Sequence, residues 1–329
     1  MATLAVGFFV AVLLVWPQAV GLQRAPVISH LVAVRALLAL GLGGVAVVAA
    51  SVAVARRRAG AAAGMAMVLA SGCLANGAVL AVRGADSART AGNADGAGDL
   101  TVVAWNTQGG ATPPGEVARL VLATHADIVS LPEMDDAAAA DVARIVAAGG
   151  RRMTPDTACG EAGDSWIPTS VLIAEDLGRY RQDTSAGSTP GLPSAVWRPI
   201  DGSGPAVVAA HPAPPLVESW GDWKAGLRWV AQVCDAPEVI VAGDLNATVD
   251  HLSGLGAAEG ALIGHCRDAG LQANAGAVGT WPADLPAWMG SPIDHVLVGS
   301  AWTARSLRVI PSSGGGTDHR AIVAVLEAR

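Results

Sequence analysis

VIVAGDLNAT, residues 239–248, decides how the rest of the chain is read. Four apolar residues run into Gly243, and a carboxylate and an amide follow at Asp244 and Asn246. A short uninterrupted apolar run fits a strand buried on both faces, as in layered α/β domains. Asp244 and Asn246 then stand at the strand's exit, where loops on a rigid sheet carry function. An Asx-type turn is the ordinary alternative use of such a pair.

The same kind of ending recurs along the chain. LTVVAWN (100–106) stops at Asn106, DIVSL (127–131) is followed by Glu133, and VVAA (207–210) meets His211. Asp294 opens DHVLV, and Asp318 with His319 precedes AIVAVL. Each ending alone says little, but six in one region exceed what random placement gives. Further strands are read at 170–174 and 306–310, and helices at 114–125, 137–148 and 216–233. Trp220, Trp223, Leu227 and Val230 recur at helical spacing within the last of these. Strands interleaved with helices predict an α/β layered domain over residues 99–329.

Several other residues have an ordinary reading. His295 follows Asp294 and points to the opposite face if the strand alternates, so it is read as a packed or surface histidine. Asp250 and His251 start a helix. Trp281 suits a site rim or a core equally well.

Composition is divided unevenly. The chain has 329 residues, 52% apolar and 15% charged, with a net charge of -7. Residues 1–82 carry only Arg24, Arg35 and the Arg56–Arg58 triplet, whereas 27 of the 28 acidic residues lie beyond residue 94. Tight non-specific DNA binding needs clustered basic side chains, which this acidic region lacks. No zinc-spaced cysteines occur. Cys234 and Cys266 leave two readings open, a disulfide outside the cytoplasm or two buried thiols.

About 20 apolar residues cross a bilayer as a helix. Three runs qualify in the sequence, at about 2–20, 36–55 and 59–82, the first weakened by Pro17 and Gln18. The first lacks the basic start of a signal peptide and is read as a helix. Keeping Arg56–Arg58 on the cytoplasmic side makes the protein a multi-pass one of the cell membrane and puts the α/β domain outside. Residues 83–98 (RGADSARTAGNADGAG) read as a flexible linker.

VVAWNTQGG, ADIVSLPEMD, VVAAHPAPP, VIVAGDLNAT, SPIDHVLV and GGTDHRAIVAVL, taken together and in this order, resemble the endonuclease/exonuclease/phosphatase superfamily. They span residues 100–326, and GDLNAT and TDHR are the specific strings. The resemblance implies a four-layer α/β sandwich, two mixed β-sheets packed together and flanked by helices, preceded here by a transmembrane bundle. It implies that Asn106, Glu133 and Asp318 hold Mg²⁺ or Mn²⁺. It also implies that Asp244 and Asn246 face the scissile phosphate, that His319 is the general base oriented by Asp294, and that His211 binds a phosphate oxygen or protonates the leaving group. Gln108 stands where some nuclease branches carry a second acid, and Pro132 where a glutamine is common.

The expected activity is therefore hydrolysis of a phosphate ester, whose source could be a lipid headgroup, a nucleotide or nucleic acid. The acidic balance favours the small or lipid ester over a nuclease. A non-catalytic binding or sensor domain is the alternative of another class, disfavoured because every expected position is filled. The membrane is the expected partner, and no protein partner is evident.

Overall fold

A computed structural model describes residues 2–56, 60–86, 99–158, 167–202, 204–311 and 316–329. Most of the expected linker, residues 87–98, lies outside the described residues, as do Arg57, Arg58 and Cys159.

The N-terminal part is helical: α1 (Ala2–Val15), α2 (Ile28–Ala33), α3 (Arg35–Ala55) and α4 (Ala61–Arg83). With 21 and 23 residues, α3 and α4 are each about 30 Å long or slightly more, the thickness of a bilayer core. Only 17% of the most apolar window of each is buried, unlike the core helix of a soluble protein. The first run differs from expectation. Its helix has 14 residues, about 21 Å, and gives way to a 3-10 turn at Pro17–Val20 because Pro17 has no N–H to continue it. Two helices, rather than three, are long and apolar enough to cross a membrane among the described residues.

The α/β part follows in the order β1 (Leu100–Ala104), α5 (Pro114–Thr124), β2 (Ile128–Pro132), α6 (Asp136–Ala148), β3 (Met153–Ala158), β4 (Thr169–Ala174), β5 (Tyr180–Gln182), β6 (Ala195–Pro199), β7 (Val207–Ala210) and α7 (Trp220–Val233). It continues with β8 (Ile240–Asp244), α8 (Val249–Leu252), β9 (Leu255–Gly256), β10 (Ile263–Gly264), β11 (Arg267–Asp268), α9 (Ala269–Gln272), β12 (Asp294–Val298), β13 (Trp302–Val309) and β14 (Ile322–Ala328). Two six-stranded mixed sheets result, ordered β13-β14-β1-β2-β4-β3 and β11-β12-β8-β7-β6-β5. Strands β1 and β2 are parallel, as are β7 and β8, while β14 and β12 run antiparallel to β1 and β8.

Alternate residues of each central strand serve different cores. Val102, Ala104, Ile128, Val207, Ala209, Ile240, Ala242 and Val296 fill the space between the sheets. Val103, Val129 and Leu131 face Val117, Val121, Val142 and Val146 of α5 and α6. Val208, Val241 and Leu297 face Trp223, Leu227 and Val230 of α7. Both faces of these strands are therefore covered by apolar side chains, which is why they read as unbroken hydrophobic runs. Helices flank the paired sheets on either side. Cys234 and Cys266 form a disulfide within the α7 core. The edge strands β3 and β5, and β6 next to β5, escaped the sequence reading, because Thr154, Asp156, Arg181 and Arg198 break the apolar pattern at exposed positions.

Candidate active site

Strands β1, β2, β7 and β8 all end at the same edge of the sandwich, and the antiparallel β12 and β14 begin there. Topology thus delivers six strand ends to one place. Gly243 is required for this convergence: its φ is 148°, and a Cβ would lie 2.0 Å from the Ala210 carbonyl oxygen on the neighbouring strand. Asp244 and Asp294 are register partners across β8 and β12, so both carboxylates leave the sheet side by side.

All eight residues expected from the sequence meet here. The Asn106 amide donates to Glu133 Oε1 (3.0 Å) and to Asp244 Oδ2 (3.1 Å). His211 Nε2 lies 3.8 Å from Glu133 Oε1 and 3.9 Å from Asp244 Oδ2. His319 Nδ1 is 3.0 Å from Asp294 Oδ2, and its Nε2 is 3.7 Å from Asp244 Oδ2 and 3.9 Å from Asp318 Oδ1. The Asn246 backbone N–H donates to Asp244 Oδ1 (2.8 Å), while its side-chain amide donates to the Pro212 carbonyl (3.0 Å). Glu133 and Asn246 adopt left-handed backbone angles (φ 64° and 48°), as does Gln108 (φ 50°). Such conformations are unfavourable for residues with a side chain and cluster at functional sites.

Electrostatics distinguish the two imidazoles. Burial lowers His211 to about 4, outweighing the pull of Asp244 and Asp294, so it is neutral. Burial also acts against the charged form of His319, but Asp294, Asp244 and Asp318 prevail and push it up to about 10. The Asp244 carboxyl is raised by burial and by Asp294, against the attraction of His319. Too many acids share this pocket for two imidazoles to balance. Asp294 Oδ1 and His211 Nδ1 are buried with no hydrogen-bond partner. Oxygen donors dominate, and ligand atoms of Asp244, Asp294 and His319 lie within 4.8 Å of one another. A hard divalent cation such as Mg²⁺ or Mn²⁺ fits this donor chemistry.

Supporting residues were less legible. Thr317 Oγ1 donates to the Asn106 carbonyl (2.9 Å) and accepts from the His319 N–H (3.1 Å), tying the first and last strands of the site together. Ser194 Oγ accepts the His211 N–H at 2.7 Å. Gln108 uses its side-chain oxygen to receive the Asp318 N–H (3.0 Å). Trp281, left between rim and core, is 37% exposed and donates from Nε1 to Asp318 Oδ2 (2.8 Å). His295 is buried and bonded to Asp268 (2.7 Å) and to the Ala247 carbonyl (2.8 Å), away from the cluster, as strand alternation requires.

A sandwich of two mixed sheets with acids, amides and imidazoles at one shared edge defines a class, the phosphoesterases of the deoxyribonuclease-I-like fold. The family model "Endonuclease/Exonuclease/phosphatase family" matches residues 103–319, and the chain belongs to that family. Its members generally hydrolyse phosphodiester bonds. No curated protein matches the chain. Among solved structures, an endonuclease/exonuclease/phosphatase from Bacteroides vulgatus is similar at 16% identity and a TM-score of 0.53, over 70% of this chain and 99% of that one. Another from Beutenbergia cavernae shares 19% identity at a TM-score of 0.51, over 70% and 72%. D. rerio TDP2 complexed with a single-strand DNA product shares 15% identity at a TM-score of 0.52, over 70% and 100%. At these identities the likeness speaks to fold alone.

Proposed function

We propose that this protein is a membrane-anchored, metal-dependent phosphodiesterase, with residues 99–329 as its catalytic domain and residues 83–98 as the connection to the membrane helices. The observation that carries it is the His319–Asp294 couple at 3.0 Å, set beside Asp244 in a pocket with a surplus of buried acid.

In this reading Asn106, Glu133 and Asp318 would hold Mg²⁺ or Mn²⁺ beside the Asp244–Asp294–His319 cluster, whose groups act on water and phosphate instead. Asp294 accepts from His319 Nδ1, which leaves Nε2 to take a proton from water. Water oxygen then forms a bond to phosphorus, the P–O bond to the leaving alcohol breaks, and the departing oxygen is protonated from solvent while His319 returns its proton there. Asp244 and Asn246 orient the water and the phosphate. His211 is neutral at physiological pH, which favours an N–H donated to a phosphate oxygen over a role as acid. A bound divalent cation would offset the carboxylates that hold the proton on His319 and the charge that builds on the phosphoryl oxygens.

The membrane part of the proposal rests on the length and exposed apolar flanks of α3 and α4. The Cys234–Cys266 disulfide suits a domain outside the cytoplasm. Hydrolysis of bis-p-nitrophenyl phosphate by the full chain, with and without Mg²⁺, tests the activity. Magnesium-dependent release of nitrophenol is expected. No turnover at any divalent cation would leave the binding or sensor reading standing. A nuclease is the second reading, motivated by the single-strand DNA product in the similar TDP2 structure.

A further inference from the structure

The edge that carries the chemistry is also the edge that meets the membrane helices. Immediately after β8, the buried Asp250 accepts from Arg35 Nε and Nη2 (2.7 and 2.6 Å), from Arg83 Nη1 and Nη2 (2.8 and 2.7 Å) and from Gln18 Nε2 (2.6 Å). Arg35 begins α3 and Arg83 ends α4, so both long helices present their domain-side ends to this one carboxylate. Next to it, His251 Nε2 reaches the Ser29 carbonyl at 3.0 Å. After β7, Trp220 packs on His30 with ring centroids 5.8 Å apart. Just before β12, Ser291 Oγ donates to the Ala33 carbonyl at 2.9 Å. Three of the strand ends that bring His211, Asp244 and Asp294 into the site are therefore the ends that rest on the helices.

Exposed apolar side chains collect at the same edge. Leu216 and Val217, in the loop that leaves His211, are 49% and 95% exposed. Trp288 is 57% exposed and shares a crevice with Ala36 and Leu80, in the end turns of α3 and α4. Tryptophan is favoured at this depth, where a bilayer meets water. The loop bearing Trp288 is closed by pairing of Trp281 with Ser291, and Trp281 touches Asp318. Two residues, Met289 and Gly290, separate Ser291 from Trp288, a backbone reach of at most about 11 Å. The site rim thus sits within one short loop of the domain-side ends of α3 and α4.

We infer that the cleft takes its substrate from the leaflet on which it rests: a phosphodiester of a membrane-embedded lipid, approached along the Leu216–Val217 and Trp288 loops. This deepens the phosphodiesterase reading and depends on it. A headgroup phosphate lies at the height of that rim, so the lipid need not leave the bilayer to meet His319. A water-soluble ester gains nothing from these loops.

The test uses the full chain in phosphatidylcholine nanodiscs doped with phosphatidyl-p-nitrophenol, beside bis-p-nitrophenyl phosphate in water, so the leaving group is the same. Leu216→Ser combined with Val217→Ser, and separately Trp288→Ser, should each lower lipid turnover about tenfold, the scale of one lost apolar anchor. Turnover of the soluble ester should stay within about twofold of the parent. Hydrolysis of the soluble ester without preference for the lipid, or equal losses on both substrates, would overturn the inference and leave the phosphodiesterase standing. Silence on both substrates would remove the phosphodiesterase reading itself, and the inference with it. Faster nicking of plasmid DNA than lipid hydrolysis by the same nanodiscs would assign the phosphate to nucleic acid instead.

Discussion

Asp244 and Asp250 lie six residues apart on one segment and both are buried, at 1% and 0% exposure. Their surroundings push them in opposite directions. Asp250 receives five hydrogen bonds from Gln18, Arg35 and Arg83. Burial would raise its carboxyl, but the two guanidinium groups outweigh that and hold it well below the usual range. Asp244 receives one backbone N–H and one amide, faces two imidazoles across 3.7–3.9 Å, and is raised by burial and Asp294. A carboxylate whose donors are complete is architecture. One whose donors are incomplete, beside another like it, is poised to bind something or move a proton. The chain places both kinds at the edge where the candidate active site and the N-terminal helices meet.

Substitutions can pull these two roles apart. The largest expected effect is that of His319→Ala, which should slow phosphodiester hydrolysis by about 10²–10⁴-fold. Near-UV circular dichroism should stay native, because His319 bonds to Trp105, Thr317 and Asp294, all within the α/β domain. Asp250→Ala should do the reverse. It leaves Arg35 and Arg83 charged and buried without their acid, a loss of about 3–5 kcal/mol. Limited proteolysis should then release the α/β domain from the helices, while that domain keeps activity on a soluble ester. If Asp250→Ala abolishes soluble turnover without loosening the bundle, the separation drawn here is wrong.

A smaller effect is expected from replacing Cys234 and Cys266 together by serine. Loss of a native disulfide typically costs about 2–4 kcal/mol, read here as a lower denaturant midpoint for the α/β domain. Acid should act on the Asp250–Arg35–Arg83 cluster more gently. The folded Asp250 titrates below its unfolded value near 4, so its stabilisation is fully present above about pH 4 and fades as the pH falls toward the folded value. In Asp250→Asn that acid-side dependence should flatten in thermal melts between about pH 5 and pH 3. An unchanged slope would mean that other carboxylates govern acid unfolding.

Much of the site was legible in the sequence for a simple reason. Apolar strands buried on both faces leave a polar residue at their ends conspicuous, as at Asn106, His211 and Asp244. The alternation that sends Asp294 to the site and His295 to Asp268 was readable from strand geometry alone. The Asp250–Arg35–Arg83 cluster was not. Asp250 meets Arg35 and Arg83 across separations of 215 and 167 residues, and no local pattern marks such a pair. It read as an ordinary helix start, which it also is. Thr317 was hidden beside the two residues that drew attention, although its hydroxyl joins Asn106 to His319. The first apolar run was carried to residue 20 on hydropathy with Pro17 read as weakening it, whereas the helix stops at Val15 and Pro17 starts a 3-10 turn.

Calorimetric titration of the full chain with Mn²⁺ tests the central claim most directly, since it reads the site without relying on a chosen substrate. The parent should bind the ion, Glu133→Gln should weaken that binding by at least about tenfold, and Asp250→Asn should leave it unchanged. A parent that takes up no Mn²⁺, or a Glu133→Gln variant that binds as the parent does, would contradict the account.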